Sequence, residues 1–251
     1  MLLLPIRQRT HMSWSYSKLT DFEQCRYRYK LRYVDKVATV SHAAADRGTA
    51  IHTKAEEFVL DKLTTLPAEL NKFADEFTAL KARMNTGLAS LEGEWAFDTD
   101  WMPTAYAAGW LRMKADAVVF NKEKTTALVI DYKTGKKFGN EIKHGEQVQL
   151  YALATAIREP TVEDLKVELW YLDQDELTAT HYTRAQALKF VKLFDARATK
   201  IDAAHANDAF PPNPNVFSCQ YCPYSPKKTG QCQHGITSAS MSITDYRRKF
   251  L

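Results

Sequence analysis

The chain has no long apolar run, no strong excess of charge of either sign, no internal repeat, no low-complexity tract and only four cysteines, and each shortfall excludes something. The opening MLLLPI stretch gives way at once to Arg7 and Arg9, far short of a secretory or membrane-spanning core. Neither export nor a membrane span is therefore expected, and residues 1–12 read as a leader outside the fold. Lys and Arg together number 34 against 30 Asp and Glu, a net charge of +4, which permits a polyanionic partner without requiring one. A cytoplasmic setting follows, and there the compartment keeps thiols reduced, so four cysteines point to metal ligation rather than to structural disulfides.

What is present suffices for one sizeable core: 251 residues, 45% of them hydrophobic. Helical spacing comes first. Ser17 is placed to cap a helix whose inner face carries Leu19, Phe22, Cys25 and Tyr29. A second helix runs through Ile51, Ala55, Phe58 and Val59, and a third, after Pro67, carries Leu70, Phe73, Phe77 and Leu80 with Gly87 as its stop. The period then changes to two, around Trp95 and Phe97, and two strands follow near Gly109 to Phe120 and Thr126 to Lys133, divided by a polar NKEK turn. A helix through Val148, Leu150, Tyr151, Ala154 and Ile157 precedes a strand near Val167 to Leu172. Thr183 with Gln186 forms a capping box for a helix showing Phe190, Val191, Phe194 and Ile201. The segment FPPNPNVFSCQYCPYSPKKTGQC reads as an ordered loop held by its cysteines.

Register carries the chemistry. If Asn121 and Thr126 close the hairpin, counting back equally along both strands sets Asp116 opposite Asp131, and directly opposed side chains stand roughly 4.5–5.5 Å apart at Cβ. Two facing carboxylates repel unless protonated, solvated or bridged by a cation. Lys133, two residues beyond Asp131, shares its face. Two acids and an amine on one face suit hydrolysis of a phosphodiester: oxygen ligands for a hard divalent ion, and an ammonium to offset developing charge. A plain ion-pair cluster would look the same in sequence. Gln147 and Tyr151 are one helical turn apart and offer an amide and a phenol to one partner.

The ordered segments SWSYSKLTDFEQCRYRYKLRY, RGTAIH, GWLRMKADAVV, ALVIDYKTGK and QVQLYALA resemble the RecB-like branch of the PD-(D/E)XK nucleases, which includes the AddB nucleases and the CRISPR-associated exonucleases. The resemblance extends from Ser13 to Cys232. It implies an α/β, restriction-endonuclease-like core over residues 13–206, with a central mixed sheet flanked by helices, and a cysteine-bound cap over 207–251 clasped to Cys25. It implies His52, Asp116, Asp131 and the main-chain carbonyl of Tyr132 as ligands for Mg²⁺ or Mn²⁺, Lys133 as catalytic lysine, and Gln147 with Tyr151 beside the scissile phosphate. Glu56 and Glu94 are read as neighbours outside the ligand set. DNA is the implied substrate, attacked exonucleolytically and perhaps at single-stranded ends, in a bacterial or phage-infected cell, with a role in recombination, repair, CRISPR adaptation or phage DNA metabolism.

Cys219 and Cys222 form a C-x-x-C pair, with Cys232 further on and Cys25 far upstream. By the same resemblance these four hold a [4Fe-4S] cluster. The residues themselves equally permit a tetrahedral zinc site, with His234 as a substitute ligand. For contacts to DNA the candidates are Lys136 and Lys137 just past the second carboxylate strand, Arg47 beside Gly48, and Arg26 in the basic, tyrosine-rich run after Cys25. Trp14 and Tyr16 suit either base stacking or the core. Two rivals stand against an enzyme: a non-catalytic DNA-binding scaffold with a structural metal cluster, and a zinc-stabilised nucleic-acid adaptor.

Overall fold

A computed structural model of the chain describes residues 11–39 and 43–236; residues 1–10 of the expected leader lie outside the described part. In chain order the elements are α1 (Tyr16–Gln24), α2 (Arg26–Tyr29), a π-helical turn (Lys30–Val34), α3 (Ala43–Val59), a 3₁₀ segment (Ala68–Phe73) and α4 (Ala74–Asn85). Then come β1 (Ala89–Phe97), β2 (Leu111–Phe120), β3 (Thr126–Lys133), α5 (Glu141–Arg158), β4 (Asp164–Tyr171), β5 (Glu176–Thr183), α6 (Arg184–Leu188), α7 (Phe190–Ala206) and α8 (Val216–Tyr221). The chain forms two compact units. One draws its described residues from Met1–Ser15 and His42–Arg197, the other from Tyr16–Ser41 and Ala198–Leu251.

The first unit is an α/β layer structure on a five-stranded mixed sheet ordered β1-β2-β3-β4-β5. The hairpin register is the one expected, with Ala117 opposite Ile130 and Phe120 opposite Ala127. Asn121 closes it: its side-chain oxygen accepts from the N–H groups of Thr125 and Thr126 at 2.8 and 3.0 Å, and Lys124 takes a positive φ of 53°. β4 lies parallel to β3, so the chain crosses over through α5. β5 returns antiparallel to β4. Sequence periodicity does not reveal β5, because the strand is largely exposed on both sides and carries no alternating apolar residues. The Thr183–Gln186 capping box is present.

One face of the sheet buries Ala117, Ile130, Tyr132 and Trp170 against Ile51, Ala55 and Phe58 of α3 and Leu70, Phe73, Phe77 and Leu80. Phe73 stacks on Trp170 with ring centres 5.5 Å apart, and Phe77 packs edge-on to Trp170 at 5.3 Å, each pair adding about 0.5–1.5 kcal/mol beyond the area buried. The expected third helix is split at Phe73, whose φ of −122° and ψ of 34° separate the 3₁₀ segment from α4. On the other side α5 buries Val148, Leu150, Tyr151 and Ala154. Trp14 is fully buried against Trp101, Trp110 and Phe194, which makes it a core residue rather than a stacking one.

In the second unit the helix expected over Leu19 to Tyr29 breaks at Cys25, whose backbone is extended (φ −164°, ψ 112°). It also starts at Tyr16, one residue ahead of the proposed Ser17 cap, and Tyr16 is buried. The basic run that follows is largely spent on ion pairs. Arg28 and Arg32 both meet the buried Asp21, at 2.8 and 2.9 Å, where Tyr33 also donates, and Lys30 grips Asp35. The cysteine-rich segment is not all loop: Asn215 caps α8 by accepting from the Ser218 N–H at 2.8 Å.

Candidate active site

The site lies in the first unit, where β2 and β3 part. Their ladder ends at Ala117 and Ile130. Beyond it the N–H of Tyr132 donates to the Asp116 side chain (Oδ2, 2.6 Å) in place of a strand carbonyl. The Asp116 carboxylate therefore sits in the opening between the strands, at the peptide that follows Asp131. From α3, His52 Nδ1 approaches Asp116 Oδ1 at 3.0 Å. One turn earlier on α3, Gly48 lies close to the end of β3, where a Cβ would stand 3.0 Å from Thr134 Oγ1.

A residue the sequence reading passed over completes this group. Glu92, His52 and Asp116 each offer a ligand atom within 4.8 Å of the others, the only such trio of His, Cys, Asp or Glu among the described residues. Glu94, the acid singled out on this strand, instead meets Lys114 across β2 at 3.1 Å. In the β1–β2 ladder Leu91 pairs with Ala117 and Gly93 with Ala115, so Glu92 falls opposite Asp116. Its φ of 46° is left-handed, a departure from strand geometry at the residue that joins the cluster. The sequence signal was slight: β1 and β2 are joined by a long connection, so no tight turn announces their register.

Asp131 belongs to an adjoining circuit and lies outside the trio. Its Oδ1 accepts from the Tyr151 hydroxyl at 2.8 Å, and its Oδ2 meets the Lys133 ammonium at 2.5 Å, an ion contact that lacks hydrogen-bond angles. Lys133 Nζ donates to Gln147 Oε1 at 2.8 Å, and Gln147 Nε2 donates to the Tyr151 oxygen at 2.9 Å, closing the ring. The Gln147–Tyr151 spacing thus does what one helical turn allows. His144, another residue not anticipated, is one turn earlier on α5 and holds Tyr171 through Nδ1 at 2.8 Å. Burial and the nearby Lys133 charge push its pKa down to about 4.

Burial and mutual charge set the electrostatics of the group. Burial raises the Asp116 carboxyl above the usual range, and the charge of Asp131 raises it further, against the pull of His52 and the Tyr132 N–H. Burial likewise raises Glu92, with Asp116 and Glu56 adding to it. Burial alone would depress the His52 imidazole, but its hydrogen bond to Asp116 and the charges of Asp116, Asp131 and Glu92 outweigh it and raise the pKa. Carboxylate oxygens with one imidazole make a donor set that fits a hard divalent metal such as Mg²⁺ or Mn²⁺.

Of the basic residues proposed for DNA, Arg47 is clamped on Asp173 by two contacts, at 2.6 and 2.9 Å, and Asp173 also accepts from the Gly135 N–H. Lys137 pairs with Glu176 at 2.7 Å and lies over the Tyr171 ring. Lys136 is exposed. In the second unit, Arg26 is exposed and lies over the Phe22 ring.

Cys25, Cys219, Cys222 and Cys232 all line one cavity of that second unit, together with Asn213 and His234. None of the four forms a disulfide. The Asn213 N–H points at Cys25 Sγ, 3.4 Å away, and burial raises the thiols of Cys222 and Cys232 above the usual range. No three of the sulfurs meet within 4.8 Å.

The model of the PD-(D/E)XK nuclease superfamily matches residues 13–227, and the chain belongs to that superfamily. No curated protein matches it in sequence. Among solved structures it is similar to a candidate exonuclease from Eubacterium rectale, at 13% identity and a TM-score of 0.50 over 98% of each chain. It is also similar to SSO0001, at 17% identity and a TM-score of 0.49 over 90% of this chain and 87% of that one. The five-stranded mixed sheet flanked by helices agrees with the superfamily fold. Among the described residues no helix is long and apolar enough to cross a membrane.

Proposed function

We propose that the chain is a metal-dependent deoxyribonuclease of the RecB-like type that removes nucleotides from DNA ends. The carrying observation is the meeting of the His52–Glu92–Asp116 trio with the Asp131–Lys133–Gln147–Tyr151 circuit in the opening between β2 and β3. A scaffold would have no use for opposed buried acids beside an oriented amine. His52, Glu92 and Asp116 would hold the metal, with Asp131 Oδ2 and the Tyr132 carbonyl as further donors. A bound divalent ion supplies Lewis-acid polarisation of the phosphate and lowers the pKa of a water.

The protein's own groups do the rest. Gln147 and Asp131 fix the Lys133 ammonium, which faces the phosphoryl oxygens and offsets the charge that grows on them in the transition state. Tyr151 locks Asp131, so that carboxylate and ammonium stay together when DNA enters. Exonucleolytic action and a role in recombination, repair, CRISPR adaptation or phage DNA metabolism belong to this proposal through the resemblance to the RecB-like branch.

At the cysteines we propose a [4Fe-4S] cluster. The resemblance to the RecB-like branch supports the cluster, and the four cysteines that line one cavity would be its ligands.

The test is digestion of 5′- and 3′-labelled single- and double-stranded DNA with and without Mn²⁺. Metal-dependent release of nucleotides from ends is expected, and Lys133→Ala lowers the rate by at least about a hundredfold while keeping the fold. Metal-independent cutting, or full activity in Lys133→Ala, refutes the assignment. A colourless protein containing zinc and no iron refutes the cluster.

A further inference from the structure

His144 stands on α5 one turn ahead of Gln147, and the two residues tie that helix to neighbouring strands. Gln147 meets Lys133 at the end of β3, and His144 Nδ1 meets the Tyr171 hydroxyl at the end of β4, at 2.8 Å in each case. Lys133 and Tyr171 are themselves partners in the parallel β3–β4 ladder. The strand pair and the helix pair therefore set the imidazole one strand over from Lys133, a step of about 4.8 Å, on the side away from Asp116 on β2 and Glu92 on β1. The action of the Lys133 and Asp131 charges on the imidazole agrees with that placement.

The hydrogen bond to Tyr171 decides which nitrogen carries the proton. Tyr171 is 1% exposed, and among the described residues its hydroxyl has hydrogen-bond geometry to His144 alone, the neighbouring Thr178 Oγ1 being without a partner. A buried O–H without an acceptor is costly, so the phenol donates to Nδ1 and the imidazole takes the tautomer protonated at Nε2. No hydrogen bond engages that Nε2–H among the described residues, and the side chain is only half-buried. The ring is also uncharged at neutral pH. A second full cation here would repel the Lys133 ammonium and compete with it for Asp131, whereas a neutral N–H donor does neither.

We propose that His144 is a further substrate-contacting residue, whose Nε2–H donates to an oxygen of the phosphate next to the scissile one while Lys133 faces the scissile phosphate itself. This rests on the nuclease reading and adds to it a positioning contact. A hydrogen bond to a phosphate that does not react is kept from ground state to transition state, so it sets the register of the strand and acts on KM more than on kcat.

The test pairs protein variants with substrate variants. The full chain digests an end-labelled oligodeoxynucleotide in Mn²⁺, with a single methylphosphonate, which lacks the anionic oxygen, placed in turn at each phosphate flanking the first scissile one. At one flanking position the wild-type KM rises about tenfold with kcat changed less than about threefold, the loss of one hydrogen bond to a charged group. His144→Ala and the bulkier His144→Phe raise KM for the unmodified oligonucleotide by a similar factor and show no further rise with the methylphosphonate at that position. Tyr171→Phe, which releases the tautomer and keeps the imidazole, retains part of the methylphosphonate penalty. An unchanged KM in His144→Phe, or equal methylphosphonate penalties in the wild-type protein and both His144 variants, overturns the contact. A Tyr171→Phe variant that matches the His144 variants on every substrate reduces His144 to a brace for Tyr171 and overturns it as well. In either case digestion by the wild-type protein leaves the nuclease reading standing, and a wild-type protein that digests nothing in Mn²⁺ overturns both.

Discussion

Replacing Asp116 by Asn should make the metal-free protein more stable while removing its response to a divalent ion. Asp116 is buried, with Asp131 on the next strand and Glu92 opposite it on β1. Two carboxylates about 5 Å apart at an effective dielectric of about 20 repel by about 3 kcal/mol. The amide removes that repulsion and keeps both partners, since its oxygen accepts from the Tyr132 N–H and its NH₂ donates to His52 Nδ1 in the other imidazole tautomer. What it gives up is the charge assistance in two hydrogen bonds, about 1 kcal/mol each. The balance is a gain of about 1 kcal/mol, or roughly 2–4 °C in melting temperature for a chain of this size.

With Mg²⁺ the order reverses. An ion present at a hundred times its Kd stabilises the wild-type protein by about 2.7 kcal/mol, and the Asn variant, short of one anionic oxygen, forfeits most of that. Thermal melts of both proteins in EDTA and in Mg²⁺ measure all four states. An Asn variant that melts below wild type in EDTA, or that keeps the wild-type Mg²⁺ shift, refutes the reasoning.

Glu92→Gly should also raise stability in EDTA, by relieving both a charge and a left-handed backbone, whereas Glu92→Ala relieves the charge alone; equal melting temperatures in the two variants would show that the φ of 46° costs nothing. Gly48→Ala should gain stability from helix propensity, about 0.5–1 kcal/mol, only when Thr134→Ala makes room for the new Cβ, so urea midpoints in a double-mutant cycle should reveal coupling, and strict additivity would refute the contact. His144 has a folded pKa depressed from 6.5 to about 4, so its contribution is present above pH 6.5 and is lost as pH falls toward 4. His144→Gln should therefore flatten the acid side of the stability profile in EDTA, and an unchanged slope would count against the burial of that imidazole.

The parts of the site legible in the sequence are those fixed by short-range rules. A tight turn sets the β2–β3 register and hence brings Asp116 to the peptide after Asp131, strand alternation sets Lys133 beside Asp131, and one helical turn sets Gln147 beside Tyr151. Glu92 escaped because its register depends on a long connection and because a left-handed residue breaks the alternation that would have exposed it. β5 escaped for want of a buried face, and the break at Cys25 because apolar spacing continues across it undisturbed. Arg47 looked like a DNA contact because a cation beside a glycine carries no mark of its partner. Asp173, the partner, is more than a hundred residues away.

The site has to be held together by something other than its own interactions, since its acids repel and Glu92 adopts a backbone that a side chain disfavours. The restraint comes from the sheet's buried face. Tyr132 follows Asp131 directly and alternation sends its side chain to the opposite side, where it packs with Phe77 at 5.1 Å and Trp170 at 5.6 Å. The same residue's N–H fixes Asp116. Ala117 next to Asp116 and Leu91 next to Glu92 are likewise gathered into that cluster. Each acid is thus anchored by an apolar neighbour one position along the chain, and the hydrophobic energy of that face outweighs the repulsion on the other. Packing on that face therefore fixes the positions of the three candidate ligands, which is what a metal site would need if binding free energy is to go into chemistry instead of ordering.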